Sequence, residues 1–309
     1  MILVAGSANL DFVVRASHIP GPGETVLGGA FQTFPGGKGA NQAVACARAG
    51  GVPTRMLAAF GADAHALPLK ASLADAGVRL HEVQVPRQAT GVAFICVSAD
   101  GENAITVAPG ANAHLRPEHL PALDETIYLL MQLEIPLDTV AAYARAARQR
   151  GVRVVLNAAP AQTLSPELLG LVDVLVVNQG ELASLAGQDG TLAERMARIE
   201  VPTLVVTLGP LGCCARHQGA FHLQAAFDVT PLDTTGAGDT FCGALVAAMA
   251  RGADLPTALR LASAAGALAC TRAGAQSSIP TADAVERLAA GTDSPAPERL
   301  RALRQLCGL

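Results

Sequence analysis

The chain has 309 residues and a mass of 31.4 kDa, enough to bury a large core in one or two domains. Half of its residues are hydrophobic and 16% are charged, which excludes a disordered chain, and no uncharged run reaches the ~18 apolar residues of a membrane span. The net charge of -4, no Trp and only two Tyr argue against a nucleic acid partner.

The cysteines and the first residues predict a cytoplasmic protein. Seven Cys, an odd number without a Cys-x-x-Cys pair, fit neither a disulfide framework nor the usual zinc spacings, so we expect reduced thiols. The N-terminus has no basic region and turns polar at Ser7 and Asn9, so it resembles a first strand and not a signal peptide.

Short aliphatic runs alternate along the chain with Ala- and Leu-rich stretches of helical length. The predicted strands include Ile2 to Val4, Val152 to Leu156, Val174 to Val177 and Leu204 to Thr207. The predicted helices include Ala40 to Ala49, Ala66 to Ala76, Leu137 to Arg150, Leu192 to Arg198, Thr240 to Ala250, Pro256 to Ala273 and Ala282 to Ala289. This alternation predicts an α/β fold, a mostly parallel sheet with helices on both faces.

Two stretches interrupt this alternation, at residues 11–34 and 86–110. Alternating apolar residues, Pro and Gly in both stretches predict antiparallel hairpins, which we place together as a small β-sheet lid over a ligand. The remaining segments, 1–10, 35–85 and 111–309, then form one large α/β domain. Within it, Gly291 to Arg299 is predicted to be a loop before a last short helix.

The most informative motif runs from Asp233 to Phe241. Gly236 and Gly238 allow backbone N–H groups around Ala237 to face one point before a helix, whose positive end favours an anion or developing negative charge. Asp239 then serves as a general base beside this anion hole, the pairing that phosphoryl transfer needs. The alternative is that Asp239 is only the helix N-cap.

Neither standard nucleotide-binding motif is present. In Gly36-Gly37-Lys38-Gly39, a P-loop would need Gly in place of Gln32 and Ser or Thr in place of Gly39. The Gly236-x-Gly238 segment has Phe241 where a dinucleotide fingerprint has its third Gly.

Three polar clusters offer hydrogen bonds to a polyol. Asn9 and Asp11 follow the first strand, where open α/β sheets hold ligands, although an Asx turn is equally consistent. The turn with Lys38 and Asn41 opens a helix, and its alternative is a glycine turn with a solvated Lys. Glu134 ends an apolar segment and is otherwise a surface charge.

Two further turns follow strands. Asn178-Gln179-Gly180-Glu181 either orders phosphate or metal-bound water, or forms a capping box with Asn178 as N-cap and Glu181 at N3. The glycine-bearing turn from Thr207 to Gly212 either approaches a nucleotide or is an ordinary hairpin turn.

Taken in order, these motifs resemble the ribokinase-like (PfkB-type) carbohydrate kinase family from about Ile2 to Pro280. The segments that carry the resemblance are Gly6 to Asp11, Pro22 to Thr25, Gly36 to Gln42, Gly101 to Asn103, Gly110 to Ala113, Met131 to Glu134, Asp233 to Phe241 and Thr271 to Gln276. The resemblance implies a three-layer α/β/α sandwich with a β lid, and ATP-dependent phosphorylation of the 5-hydroxyl of D-ribose.

The resemblance also implies roles for residues at matching positions. Asp239 matches the catalytic base, and Gly236, Ala237 and Gly238 match the anion hole. The sugar positions are Asn9, Asp11, Gly37, Lys38, Gly39, Ala40, Asn41, Val107, Glu134 and Asp239. The nucleotide positions are Asn178, Glu181, Thr207, Leu208, Gly209, Pro210, Leu211, Gly212, Gly238, Asp239 and Ser263.

Two cations and a dimer follow from the same resemblance. Mg²⁺ would bridge ATP phosphates, with Glu181 acting through water. K⁺ would be held by the Asp233 carboxylate, the Ser278 hydroxyl and the carbonyls of Thr235, Ala269, Arg272 and Gly274. The resemblance further implies a homodimer through the lid.

Departures from the family pattern leave other functions open. Gln179-Gly180 and Ser263 differ from the expected nucleotide-side residues, and Phe12 and Phe94 add aromatic bulk to the expected lid. The alternatives are a kinase of the same fold for another sugar or a nucleoside, and a sugar- or nucleotide-binding protein without turnover.

Overall fold

The computed structural model describes residues 1–291 and 297–309. Thirteen strands lie in these residues: β1 (Ile2–Ala5), β2 (Asn9–Arg15), β3 (Gln32–Gly36), β4 (Thr54–Phe60), β5 (Arg79–Gln84), β6 (Gly91–Val97), β7 (Asn103–Ala108), β8 (Tyr128–Met131), β9 (Arg153–Asn157), β10 (Val174–Asn178), β11 (Thr203–Thr207), β12 (Gly212–His217) and β13 (Ala220–Ala225).

Ten α-helices lie in the same residues: α1 (Lys38–Arg48), α2 (Ala66–Asp75), α3 (Leu137–Gln149), α4 (Pro166–Leu169), α5 (Gln179–Ala186), α6 (Leu192–Ala197), α7 (Ala237–Ala250), α8 (Leu255–Ala269), α9 (Ala282–Ala290) and α10 (Pro297–Cys307). None of the helices in residues 1–291 and 297–309 is long and apolar enough to span a membrane.

A nine-stranded sheet forms the centre of the protein, in the order β13-β12-β11-β10-β9-β8-β1-β4-β5. All neighbours from β11 to β5 run parallel, and β12 is antiparallel to both β11 and β13. The prediction of a mostly parallel sheet is therefore confirmed. The carboxyl ends of the parallel strands meet at one edge, where an open α/β sheet holds its ligands.

Apolar side chains cover both faces of this sheet, because successive residues of a strand point to opposite faces. Ile2 and Val4 of β1 pack in one cluster with α1, α2, α7, α8 and α9. Leu3 and Ala5 pack in a second cluster with α3, α4, α5, α6 and α10. The result is the expected three-layer α/β/α sandwich.

A second sheet of four strands has the order β3-β2-β6-β7. The pairs β2–β3 and β6–β7 are antiparallel, and the two pairs are joined because β2 and β6 run parallel. The two interrupting stretches thus meet in one small sheet, as predicted. Strand β2 begins at Asn9 and strand β3 ends at Gly36, so the small sheet extends two residues beyond each end of the predicted stretch 11–34.

Several helix boundaries differ from the predictions. Helix α8 ends at Ala269, four residues before the predicted end at Ala273, because the chain turns there and the backbone of Gly274 donates to Asp233. Helix α10 begins at Pro297, so the last three residues of the predicted loop are helical, while residues 292–296 of that loop lie outside the described residues.

Candidate active site

Asp239 lies in the first turn of α7, at its third residue and not at the N-cap. The N-cap is Gly236, whose φ of 73° is a left-handed conformation that favours glycine. The N-cap alternative for Asp239 is therefore wrong. The first N–H groups of a helix have no intrahelical acceptor and its N-terminus is positive, so the backbone around Gly238 suits negative charge. The Ala237 N–H already donates to Thr234 O at 3.2 Å.

Two amides of α1 hold the carboxylate of Asp239. Asn41 Nδ2 donates to Oδ2 and Gln42 Nε2 donates to Oδ1, each at 2.9 Å. All three side chains are buried. Each oxygen of the Asp239 carboxylate is therefore held by one amide donor of α1. Asn41 was predicted as a site residue, whereas Gln42 appeared only as part of a motif.

The amides reach Asp239 because α1 and α7 pack closely. A Cβ at Gly243 of α7 would lie 2.5 Å from Ala45 Cβ and 2.7 Å from the carbonyl oxygen of Gln42. A Cβ at Gly50, just beyond α1, would lie 2.0 Å from Ala247 Cβ. Larger residues at these two positions would force the helices apart.

Glu134, which follows β8, hydrogen-bonds both the start of α1 and the segment between β1 and β2. Its Oε2 accepts from Ser7 Oγ at 2.5 Å and from the backbone N of Lys38 at 3.1 Å. Gly37, with φ 88°, places this turn so close to the chain that a Cβ would lie 2.6 Å from Asn9 N. Glu134 is therefore a half-buried carboxylate that is hydrogen-bonded into this turn, and not a free surface charge.

Asn9 begins strand β2 of the small sheet, where it bonds a residue that sequence reasoning did not place in the site. Asn112 Nδ2 donates to Asn9 Oδ1 at 2.8 Å. The Asn112 side chain also pairs with the backbone of Ala8, accepting at 3.1 Å and donating at 3.2 Å. Asn112 lies in the quoted segment Gly110 to Ala113, which was the available signal.

Asp11, two residues further along β2, is a buried carboxyl group close to other acids. Burial is the main cause that raises the pKa of Asp11 from 3.8 to about 7, and the nearby charges of Glu134 and Asp239 add to it, while Lys38 opposes it. Asp239 is also the main cause that raises the pKa of Lys38. Three carboxylates and one ammonium group thus share this part of the molecule.

Asn178 and Glu181 form the capping box of α5. This was one of the two structures predicted for the segment Asn178 to Glu181. Asn178 Oδ1 accepts from Glu181 N at 2.8 Å, and Glu181 Oε2 accepts from Asn178 N at 2.7 Å. Burial raises the pKa of Glu181, and Lys38 and Asp239 also influence it. The cap therefore lies near the Asp239 region, so the two alternatives are compatible.

The turn from Thr207 to Gly212 connects β11 to the antiparallel β12, which confirms the hairpin alternative. Gly209, Pro210 and Leu211 form a 3-10 turn, in which Leu211 is exposed, while Leu208 is buried. Ser263 lies buried on α8, with its Oγ 3.8 Å from Cys213 Sγ on β12. Ser263 therefore lies beside β12, the strand that follows this turn.

Asp233 holds together the two loops predicted to bind a monovalent cation. Its carboxylate accepts from Thr235 N and Gly274 N, each at 2.9 Å. Burial opposes ionisation, but the hydrogen bonds from Thr235 and Gly274 lower the pKa of Asp233. Of the other predicted ligands, Ser278 Oγ donates to Ala275 O at 2.9 Å, and the carbonyl of Ala269 accepts from Arg272 N at 3.4 Å.

The small sheet presents different side chains on its two faces. Asp11 pairs with Ala93, and Ala93 pairs with Val107, which puts Asp11 and Val107 on one face. Phe12 and Phe94 point to the other face, where their rings stack at 5.6 Å. Phe12 also contacts His65 at 5.6 Å, beside α2. These two rings therefore lie on the face opposite Asp11 and Val107.

We predict that Asp11→Asn stabilises the protein increasingly as pH rises. The pKa of Asp11 is about 7 when folded and 3.8 in its ordinary state, so its ionisation destabilises the fold between these pH values. The gain in unfolding free energy should reach on the order of 1–4 kcal/mol near pH 8 and shrink toward about pH 4, in urea titrations. Exposed Asp124→Asn is the control. A gain that does not vary with pH would contradict this prediction.

Comparison with known proteins identifies the family. The model of the pfkB family carbohydrate kinases matches residues 1–282. A ribokinase of Haemophilus influenzae is 38% identical, covering 91% of this chain and 95% of its own, and one of Bacillus subtilis is 38% identical, covering 93% and 98%. The structure of Arabidopsis thaliana ribokinase complexed with ribose and ATP superposes with a TM-score of 0.86 at 32% identity, covering 94% and 99%. The chain belongs to the pfkB family of carbohydrate kinases.

Proposed function

We propose that the protein transfers the γ-phosphoryl group of ATP to the 5-hydroxyl of D-ribose, giving D-ribose 5-phosphate and ADP. The observation that carries this proposal is the Asp239 carboxylate, held by two amides in the first turn of α7. The names of the two bacterial relatives and the ribose and ATP in the plant structure support ribose and ATP as substrates.

The sugar is held by groups from both sheets. Asn9, Asp11 and Glu134 accept hydrogen bonds from sugar hydroxyls, and Lys38 and Asn41 donate to sugar oxygens. The backbone of Gly37, Gly39 and Ala40 lines the same turn, and Val107 packs on the sugar from the small sheet. The raised pKa of Asp11 supports this role, because a buried carboxylate gains most from hydroxyl donors.

Asp239 takes the proton of the 5-hydroxyl as that oxygen attacks the γ-phosphorus of ATP. The bond between the γ-phosphorus and the bridging oxygen breaks, and the electron pair leaves with ADP. The backbone of Gly236, Ala237 and Gly238 and the positive end of α7 stabilise the charge on the transferring group. The Ala237 N–H must exchange its bond to Thr234 O in order to take part.

The nucleotide lies along the strand ends on the other side of Asp239. The turn Thr207 to Gly212 and Ser263 line it, and Asn178 and Glu181 face its phosphates. Mg²⁺ bound with ATP supplies positive charge to the phosphates. Glu181 fits a role through water, because it is buried near Lys38 and Asp239 and already accepts from Asn178 N.

A potassium ion fits beside the anion hole. The proposed ligands are all oxygens, as a hard cation prefers: the Asp233 carboxylate, the Ser278 hydroxyl and the carbonyls of Thr235, Ala269, Arg272 and Gly274. The lowered pKa of Asp233 supports an ionised ligand, and its bonds to Thr235 and Gly274 fix both loops.

The small sheet is proposed to be a lid over the sugar and the contact between two copies of the chain. Every residue of its edge strand β7 is exposed, including Ile105 and Val107. Exposed apolar edges favour association. We also propose a cytoplasmic location, which the seven free cysteines support.

We predict that Asp239→Asn lowers kcat by about 10²–10⁴-fold, because the 5-hydroxyl loses its base. Ribose binding, measured by calorimetry, should remain, and exposed Asp283→Asn is the control.

ADP release with ribose, deoxyribose, fructose and adenosine identifies the acceptor. Unchanged turnover would exclude Asp239 as the base; preference for another acceptor would replace ribose; no turnover with any acceptor would favour a binding protein.

We predict that K⁺ activates the enzyme more than Na⁺ does, and that Asp233→Asn removes most of this activation because the only charged ligand is lost. The measurement is ADP release across a series of KCl and NaCl concentrations at constant ionic strength. Asp254→Asn, at the N-cap of α8, is the control for a lost carboxylate at a cap. Equal rates in both salts would contradict the cation site.

We predict that the protein sediments with the mass of two chains and that Ile105→Asp converts it to one chain, because a charge then lies in the apolar contact. Thr106→Asp, on the opposite face of β7, is the matched control and should stay dimeric. A single-chain mass for the unchanged protein, in sedimentation velocity, would exclude the dimer.

A further inference from the structure

A chain of buried amides extends from the base into the core of the protein. Gln42 Nε2 donates to both Asp239 Oδ1, at 2.9 Å, and Asn157 Oδ1, at 3.0 Å. Gln42 Oε1 accepts from Gln132 Nε2 at 2.5 Å. Gln42 and Gln132 are both 0% exposed, and Asn157 is 7% exposed. These contacts use both N–H groups of the Gln42 amide and its oxygen.

A main-chain carbonyl fixes which way the amides of this hydrogen-bonded network are turned. Asn157, the last residue of β9, donates through Nδ2 to the carbonyl of Val176 in β10, at 3.1 Å. A carbonyl only accepts, so the Asn157 oxygen must face Gln42. The Gln42 nitrogen must then face Asn157, and the same nitrogen faces Asp239. Reversing the Gln42 amide would set its oxygen against the oxygens of Asn157 and Asp239, in a place where Gln42 is inaccessible to solvent.

The two oxygens of Asp239 therefore have different surroundings. Oδ1 is bound by Gln42, which is inaccessible to solvent and whose hydrogen bonds are all used inside the protein. Oδ2 is bound by Asn41, the residue that also faces the sugar in the proposed function. Gln42 is also held by Asn157 and Gln132, so an entering hydroxyl is expected to exchange with the Asn41 contact while Gln42 remains in place.

We propose that Gln42, oriented by Gln132 and Asn157, is a positioning residue that holds Oδ1 of the Asp239 carboxylate in place and leaves Oδ2 as the oxygen that takes the proton. Gln132 and Asn157 act only through Gln42. This inference rests on the proposed function, since it concerns the base of the same reaction. It adds three residues that no sequence motif had assigned a role.

The test compares three variants. Gln42→Met keeps the length of the side chain and removes the donor to Asp239. Gln132→Met leaves the contacts of Asp239 unchanged and removes one of the two contacts that orient Gln42. Cys46→Ala is the control, because Cys46 lies one turn further along α1, buried against Gly243 with a 3.4 Å bond to its carbonyl, and makes no bond to Asp239.

The readouts are kcat, ribose binding and the pH profile of kcat/KM on folded protein. We expect Gln42→Met to lower kcat by about 10–100-fold with ribose binding nearly unchanged. The acid limb of its kcat/KM profile should move to higher pH, because the base loses a hydrogen-bond donor. Gln132→Met should lower kcat and move the acid limb of the pH profile in the same direction but by less. Cys46→Ala should lower only thermal stability.

The outcomes separate this inference from the proposed function. If the unchanged protein phosphorylates a sugar but Gln42→Met and Gln132→Met behave like Cys46→Ala, with an unmoved pH profile, the amides are only structural and the inference is wrong. If Gln42→Met does not fold, the pH profile of Gln132→Met decides. If the unchanged protein phosphorylates no acceptor, the proposed function and this inference both fail.

Discussion

The close contact of α1 with α7 is the constraint on which the candidate site depends. Asn41 and Gln42 reach Asp239 only because Gly243 leaves no side chain between the helices, with Ala45 and Gly50 on the α1 side. The two helices are far apart in the sequence and pack on the same face of the large sheet. The small residues at this helix contact therefore matter to the proposed base, because a shift of α1 would withdraw both amides from the carboxylate.

Charge is the second constraint, since Asp11, Glu134 and Asp239 lie close to a single Lys38. Such a group of acids is costly to bury without compensation. The compensation seen here is local and unequal. Asp239 has two amide donors and a helix N-terminus, and Glu134 has a hydroxyl and a backbone N–H, whereas the pKa of Asp11 rises to about 7. Asp11, the acid with the least compensation, is also one of the groups proposed to accept hydrogen bonds from the sugar.

The fold was predictable because its signals are local. Aliphatic strand runs, helical stretches and the two hairpin regions all follow from short-range patterns, and the glycine turn before Asp239 could be recognised as a helix start. The amide network was not predictable in this way. Gln42 lies in α1, Asn157 ends β9 and Gln132 follows β8, and nothing in the spacing of three neutral amides indicates that they meet.

One residue can serve the fold and also be available to a site, as the cap of α5 illustrates. The capping box at Asn178 and Glu181 stabilises α5 and at the same time brings a carboxylate near Lys38 and Asp239. A cap is suited to this use, because its hydrogen bonds fix the side chain before any ligand arrives.

Strand β2 extends this argument to the small sheet. Asn9 is fixed by Asn112 next to the large sheet, and Asp11, two residues later on the same strand, pairs with the small sheet. A ligand that bonds Asp11 together with Glu134 or Lys38 therefore joins the two sheets directly. The proposed closure of the small sheet and the proposed binding of the sugar are then a single event, because the groups that bind the ligand are also those that connect the two parts of the protein.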